Sequence, residues 1–327
     1  MIAYLIRRLI YGVLILLGVN LITFFLFFTV NTPDDMARLN IGGKRVTQPL
    51  IDKWKAERGY DKPLYVNDQR QGTQRYTDTI FWDRSVSLFE LKFGRADSES
   101  AGDIGHEVGE RMWISIQLAL PIFILQVIAS TGFALLLVMF RHTRLDLWGV
   151  VLCVLMLSIS SLFYIIVGQF LFSRVFKLVP MSGFASGLDA LRFLVLPVLL
   201  SALARLGAEA RLYRAMFLEE IGKDYVRTAR AKGLAETVVL FRHVLRNALI
   251  PIITSAGSYL PYVFMGSLVF ESFFGIPGLG AYVIEAISKQ DFAIVRTMVF
   301  VGSLLYIATY ILIDLAYTWV DPRVRLA

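Results

Sequence analysis

Six long apolar runs divide this chain of 327 residues, and the polar residues collect in a few blocks between them. The runs lie at about residues 9–30, 112–140, 147–172, 191–206, 248–270 and 297–320. Crossing a hydrocarbon core as a helix takes about 20 mostly apolar residues, so each run predicts a membrane-spanning helix. The fourth is the shortest, with Pro197 inside it and Arg205 closing it. The first follows Arg7 and Arg8 but is about 22 residues long. That exceeds the apolar stretch of a secretory signal, and no small-residue cleavage site follows, so it also reads as a span. The pattern predicts an all-α integral membrane protein with six transmembrane helices.

The polar blocks give the organisation. Residues 1–30 are the amino-terminal segment and first helix, 31–111 a large insertion after it, and 112–327 the core with the other five helices. The insertion carries thirteen basic and fourteen acidic residues and is broken by Pro33, Pro49, Pro63 and several glycines. Within it Gln48–Arg58 has helical periodicity, with Leu50, Ile51 and Trp54 on one side. Phe81, Trp82, Leu88, Phe89, Leu91 and Phe93 form an apolar cluster expected to pack on the membrane surface or the helix ends, as a lid rather than a separate core. A later polar block, 271–294, opens with Gly275, Pro277, Gly278 and Gly280, a turn-rich start, and continues as an amphipathic stretch over 281–288.

Composition agrees: 56% hydrophobic, 18% charged and a mean hydropathy of +0.61 are too apolar for an ordinary soluble domain. The net charge of +7 has a topological source. With the amino terminus in the cytoplasm, the inner segments hold fifteen Lys and Arg and the two short outer loops hold five. This is the positive-inside bias, and it puts both termini in the cytoplasm and residues 31–111 outside. Nucleic-acid binding is not needed to explain the charge. Cys153 is the single cysteine, so disulfides and thiolate metal sites within the chain are excluded. His106, His142 and His243 are scattered without metal-ligand spacing. Neither a nucleophile elbow nor a zinc-protease motif occurs, so no catalytic residue, metal site or bound cofactor is expected. Gly42-Gly43-Lys44 lacks the spacing of a phosphate-binding loop.

The segment 224–254, DYVRTARAKGLAETVVLFRHVLRNALIPIIT, is a basic, alanine-rich island between apolar runs. Residues 224–232 predict a short helix, stopped by Gly233, and a second helix follows over 236–247. Thr228, Ala229 and Ala231 keep the first helix low, so that a partner's backbone can approach, while Arg227, Arg230 and Lys232 ring it with charge. Val239, Phe241, Val244 and Leu245 give the second helix an apolar side that holds the hairpin to the membrane helices. Such a segment suits receiving force from a partner. Elsewhere, Gln126, Gln169 and Asp314 are polar groups within predicted spans. The two glutamines either line a path or hydrogen-bond between helices. Asp314 is either functional or paired with a basic residue such as Arg205. Glu271, Gly278 and Asp291 in the outer loop are either gate or receptor contacts or ordinary interfacial groups.

The 224–254 segment closely resembles the cytoplasmic signature loop of ABC-importer permeases, above all the B-type permease of the dipeptide, oligopeptide and nickel uptake branch. The resemblance extends to ESFFGIPGLG at 271–280, to 286–291, to the D-x-x-Y-x-x-x-DPR pattern at 314–323, and to YLIRRLI and GYDKPL near the amino terminus. Ala235 stands where the family has a capping residue. The resemblance implies the type I importer permease fold in a bacterial inner membrane. It further implies a homologous second permease, two ABC ATPase subunits that carry ATP and magnesium, and an extracytoplasmic solute-binding protein. Tyr225, Thr228, Ala229, Arg230, Lys232, Gly233, Leu234 and Arg242 would form the contact with the ATPase. Di- and oligopeptides are the expected cargo, with nickel chelates, glutathione or other small solutes as alternatives. An ATP-independent secondary transporter is the rival class; it would show internal repeats and charged mid-membrane sites, neither of which the sequence displays.

Overall fold

The computed structural model describes residues 2–42, 46–98 and 102–320. Residues 321–323 of the terminal pattern, Arg325, and Gly43 with Lys44 lie outside the described residues. The described chain is helical, without a strand. Its amino-terminal helix α1 (Ile2–Val30) is followed by the insertion, with α2 (Pro33–Ile41), α3 (Gln48–Arg58), α4 (Gln74–Thr77) and α5 (Ile80–Arg84). The core contains α6 (Ile104–Met139), α7 (Arg144–Ser158), α8 (Ser161–Gly168) and α9 (Ala190–Ile221). The basic hairpin is α10 (Asp224–Ala231) and α11 (Glu236–Val238), and α12 (Leu245–Gly257), α13 (Leu260–Met265), α14 (Leu268–Phe274), α15 (Leu279–Ser288) and α16 (Phe292–Val320) complete the described chain.

Five helical segments are long and apolar enough to cross a membrane, or up to seven if each of two bent pairs counts as a span. The six predicted runs fall within that range, but their shapes differ from six plain rods. The third is broken, its halves meeting at 90°. At the break Ile159 and Ser160 are extended, and the Ser160 hydroxyl caps α8 by accepting the Leu162 N–H at 3.3 Å. The fourth lies in a longer helix: α9 runs for 32 residues, well past residue 206, and in that extension Arg214 makes a two-point pair with Asp146 of α7, at 2.9 and 2.7 Å. Pro197 lies within this helix, buried. The fifth run divides twice, at Ser258 and Tyr259 between α12 and α13 and again at Gly266, whose φ of +73° suits glycine.

Small residues bring the core helices together. A Cβ on Gly207 of α9 would lie 2.4 Å from the Cys153 carbonyl oxygen of α7, and one on Gly168 would lie 2.4 Å from a Leu200 methyl. Backbones this close give the packing that substitutes for a hydrophobic driving force between helices in lipid.

The insertion packs against the membrane-length helices α1 and α16. Phe24 and Phe28 of α1 share one buried cluster with Met36, Ile51, Trp54, Tyr60 and Ile80, and Trp54 stacks on Tyr60 with ring centroids 5.4 Å apart. The segment's core is thus built jointly with the carboxy-terminal end of α1. The helix Gln48–Arg58 forms with the predicted bounds and turns Ile51 and Trp54 inward, but Leu50 is exposed. Of the predicted aromatic cluster, Leu88 is buried against Leu16 and Phe300, whereas Trp82, Phe89 and Leu91 are exposed.

Candidate functional site

The hairpin is seated by a stripe of apolar residues. Val226 and Ala229 of α10, with Val239, Leu240 and Val244, are buried in one cluster with Tyr213 and Phe217 of α9 and Ala134, Leu135 and Val138 of α6. Two expectations change here. Ala229 faces the molecule's own core and offers nothing to a partner, and Leu240 occupies the inward position expected of Phe241, which is exposed. The displacement follows from a π-helical turn over Val239–Val244, which shifts the periodicity by one residue relative to an α-helix. The second helix also does not stop near Asn247; it continues through α12 into the membrane as one segment, Glu236–Gly257.

Gly233 closes the first helix at φ +77°, with the Gly233 N–H donating to Arg230 O at 2.9 Å and the Leu234 N–H to Ala229 O at 3.4 Å. Nothing lies within 4 Å of a Cβ built there, so backbone conformation alone requires glycine. Arg230 is also committed internally. Its guanidinium donates twice to Glu236, at 3.0 and 2.8 Å, and Arg141 from the α6–α7 turn donates to the same carboxylate at 3.0 Å. Bidentate arginine–carboxylate pairs are among the strong hydrogen bonds, and this one fixes the angle of the hairpin. Tyr225 donates to Glu220 of α9 at 2.8 Å, and burial pushes its hydroxyl up to about 12. Ala235 starts α11 without a side-chain cap. The outward surface is left to Arg227, Thr228, Ala231, Lys232, Gly233, Leu234 and, farther along, Arg242.

The polar residues in the spans are mostly structural. Asp314 pairs with Arg8 at 2.6 Å and accepts from the Tyr4 hydroxyl at 3.1 Å, joining α16 to α1; its partner is Arg8, not Arg205. Gln169 is buried and donates to the Met181 and Phe273 carbonyls at 3.0 and 3.1 Å, so it braces the outer loops and does not border the cavity. Gln126 does border it, a cavity of about 350 Å3 walled by α6, α8, α9, α13 and α14. Behind the wall Gln126 donates to Glu209 of α9, which the Tyr213 hydroxyl also approaches at 3.4 Å. Sequence reading missed Glu209, because ending the fourth span at residue 206 placed that carboxylate in a cytoplasmic segment. Its signal was present: an isolated acid four residues after Arg205 in an otherwise apolar stretch.

The outer-loop residues are buried locks. Glu271 has 0% exposure and accepts from the Ser115 hydroxyl at 2.8 Å, the Ser267 N–H at 3.2 Å and the Ala281 N–H at 3.0 Å. Gly278 is pressed against this group; a Cβ would lie 2.5 Å from both Glu271 Oε2 and Ser115 Oγ. Asp291, also 0% exposed, accepts from the Asp97, Ser98 and Ile294 N–H groups and so ties the insertion to the start of α16. In this conformation neither carboxylate reaches a surface where a receptor would dock. Among the described residues no group of three or more His, Cys, Asp or Glu could hold a metal ion.

A bundle of membrane-length helices with a seated basic hairpin and a cavity among bent helices is the architecture of a multi-pass membrane protein. Residues 111–326 match the family described as binding-protein-dependent transport system inner membrane component, and residues 1–93 match that family's amino-terminal segment. The chain belongs to this family and has its type I importer permease fold, a multi-pass inner membrane architecture. It is 30% identical to the di/tripeptide transport system permease protein DppB of Pseudomonas aeruginosa, over 99% of both chains. It is 31% identical to the dipeptide transport system permease protein DppB of Bacillus subtilis, over 76% of this chain and 78% of that one. It is 28% identical to the glutathione transport system permease protein GsiC of Salmonella typhimurium, over 99% of both.

Proposed function

We infer that the chain is the membrane subunit of an ATP-driven importer of di- and oligopeptides. It forms half of a translocation path with a homologous second permease, takes cargo from an extracytoplasmic solute-binding protein, and binds no cofactor itself. ATP and magnesium reside on two separate ATPase subunits at the cytoplasmic side, where both termini lie. The observation that carries this reading is the hairpin: a low, basic outward surface at Thr228, Lys232, Gly233 and Leu234, on a base locked by Arg230, Glu236 and Arg141. A rigid contact is what transmits a closing motion to helices with two arrangements. The peptide names of two relatives support the cargo. Glutathione, the cargo named for a third, is itself a tripeptide and falls within the same chemistry.

The test is Gly233→Pro in the complete transporter, reconstituted with its receptor. Proline removes the N–H that donates to Arg230 O and holds φ near −65° where the chain needs +77°. Receptor-stimulated ATP hydrolysis and peptide uptake should both be lost. Uptake coupled as in the wild type would refute the assignment of the hairpin.

A further inference from the structure

The cavity among α6, α8, α9, α13 and α14 contains chemistry that the hairpin and the locks do not use. Arg205 lies fifteen residues into α9, on the cavity wall, with its guanidinium 4.9 Å from the centroid of the Tyr259 ring. Among the described residues no carboxylate is within ion-pair distance of it; Glu209 acts on it only through its field. Of the acids farther along the same helix, Glu209 is bonded to Gln126 and Tyr213 and Glu220 to Lys223 and Tyr225, while Glu219 is exposed near the far end of the helix. One turn before Arg205, the Ser201 hydroxyl is buried at 5% exposure, borders the same cavity and has no hydrogen-bond partner. An arginine within a spanning helix is costly unless it faces a water-filled path or an anion, and a buried hydroxyl without a partner is uncommon.

We propose that this cavity is a transit subsite for the free carboxylate of the peptide cargo, with Arg205 and Ser201 as its recognising donors. The proposal rests on the reading of the chain as a peptide importer. A guanidinium offers a planar fork of donors that matches the two oxygens of a carboxylate, and the Tyr259 ring holds that fork in place from one side. Ser201 adds a donor to the same end. Much of the remaining wall, including Ile122, Val263 and Phe270, is apolar, with Gln126, Ser161, Tyr262 and Ser267 as its other polar side chains. The volume of about 350 Å3 is within the range of roughly 300–1,000 Å3 typical of small-ligand sites. A path that passes peptides of many sequences has to recognise what all of them share, and the terminal carboxylate is such a group.

The experiment compares uptake of alanyl-phenylalanine with uptake of its C-terminal amide, in proteoliposomes containing the complete transporter and saturating receptor. The receptor is the same throughout, so its own preference cancels when the acid-to-amide ratio of a variant is divided by that of the wild type. Arg205→Gln should lower this ratio roughly tenfold or more, the loss expected for a hydrogen bond between charged groups. Arg205→Lys should retain part of it. An unchanged ratio in Arg205→Gln would overturn the subsite, as would an equal fall in both uptakes, which is the outcome expected if the arginine only holds a lipid phosphate. Should that variant fail to assemble, Ser201→Ala carries the test: the ratio should drop about threefold, and no change overturns the proposal. A wild-type complex that moves neither peptide is a different failure, which removes the peptide reading and the subsite with it.

Discussion

Glu271→Gln separates a buried lock from a docking residue. Gln has the same shape, so the substitution introduces neither cavity nor clash, and its effect reports hydrogen-bond polarity. One carboxylate oxygen accepts from the Ser115 hydroxyl and the Ser267 N–H, and the other from the Ala281 N–H. If the amide NH2 takes the second position, it confronts the Ala281 N–H, donor against donor. If it takes the first, it confronts the Ser267 N–H, and the Ser115 oxygen is already accepting from the Leu279 N–H at 2.8 Å. Each orientation strands at least one backbone N–H in a site with 0% exposure and removes at least one hydrogen bond to a charged acceptor. At about 1–3 kcal/mol for each such loss, the variant should be destabilised by about 2–4 kcal/mol.

The assay is the thermal midpoint in lipid nanodiscs, measured beside receptor affinity. Destabilisation of that size moves the midpoint down by several degrees, with receptor affinity preserved in the fraction that remains folded. Ser115→Ala should interact with it in a double-mutant cycle: because the two side chains share one network, the combined loss falls short of the sum. An unshifted midpoint together with weakened receptor binding would refute the argument and return Glu271 to the surface role that its position in the sequence first suggested.

Two further outcomes follow from named contacts. Arg8→Ala leaves Asp314 in α16 without its 2.6 Å partner; since Arg8 is partly exposed, a loss of about 1–2 kcal/mol in nanodisc stability is expected, and adding Asp314→Asn should recover most of it. In the insertion, Lys55 holds the Asp34 carboxyl below its usual range and Lys62 does the same for Asp78. A depressed carboxyl contributes stability that is present above the unfolded value of about 3.9 and is lost as pH falls through the folded value. Amide protection in Pro33–Ile41 and Gln74–Thr77, taken relative to the intrinsic exchange rate at each pH, should therefore stay flat from about pH 5 to 8 and fall as pH drops below about 4.

What the sequence made legible was decided by how local the cause was. The helix Gln48–Arg58 and the stop at Gly233 follow from periodicity or from one residue's backbone freedom, and both are in place. The facing of Ala229 was not legible, because a small residue on an amphipathic helix suits an inner seat and an outer contact equally; the Tyr213 and Phe217 rings beneath it decide the matter. Likewise Asp314 required the distant amino-terminal helix to show its partner, 306 residues away at Arg8. That α9 continues past the apolar run was not legible from hydropathy, which marks where apolar residues end and not where the helix ends.

The length of α9 has a mechanical consequence. At its inner part Tyr213 and Phe217 share the buried cluster of the hairpin, and Glu220 accepts from Tyr225. Arg205, on the cavity wall, stands about 22 Å up the same axis from Glu220 at 1.5 Å per residue. Between them the helix has one glycine, Gly207, and it is pressed against the Cys153 carbonyl, so it cannot act as a free hinge. The Arg214–Asp146 pair ties the same stretch to α7. A displacement applied to α10 therefore moves the inner part of α9 as a rod and carries Arg205 with it. The nearest place where bending costs less is Pro197, beyond the cavity on the outer side. If the hairpin receives the ATPase stroke, as proposed above, this geometry changes the cavity's shape and the position of its cation together, joining cargo release to that stroke without a separate relay.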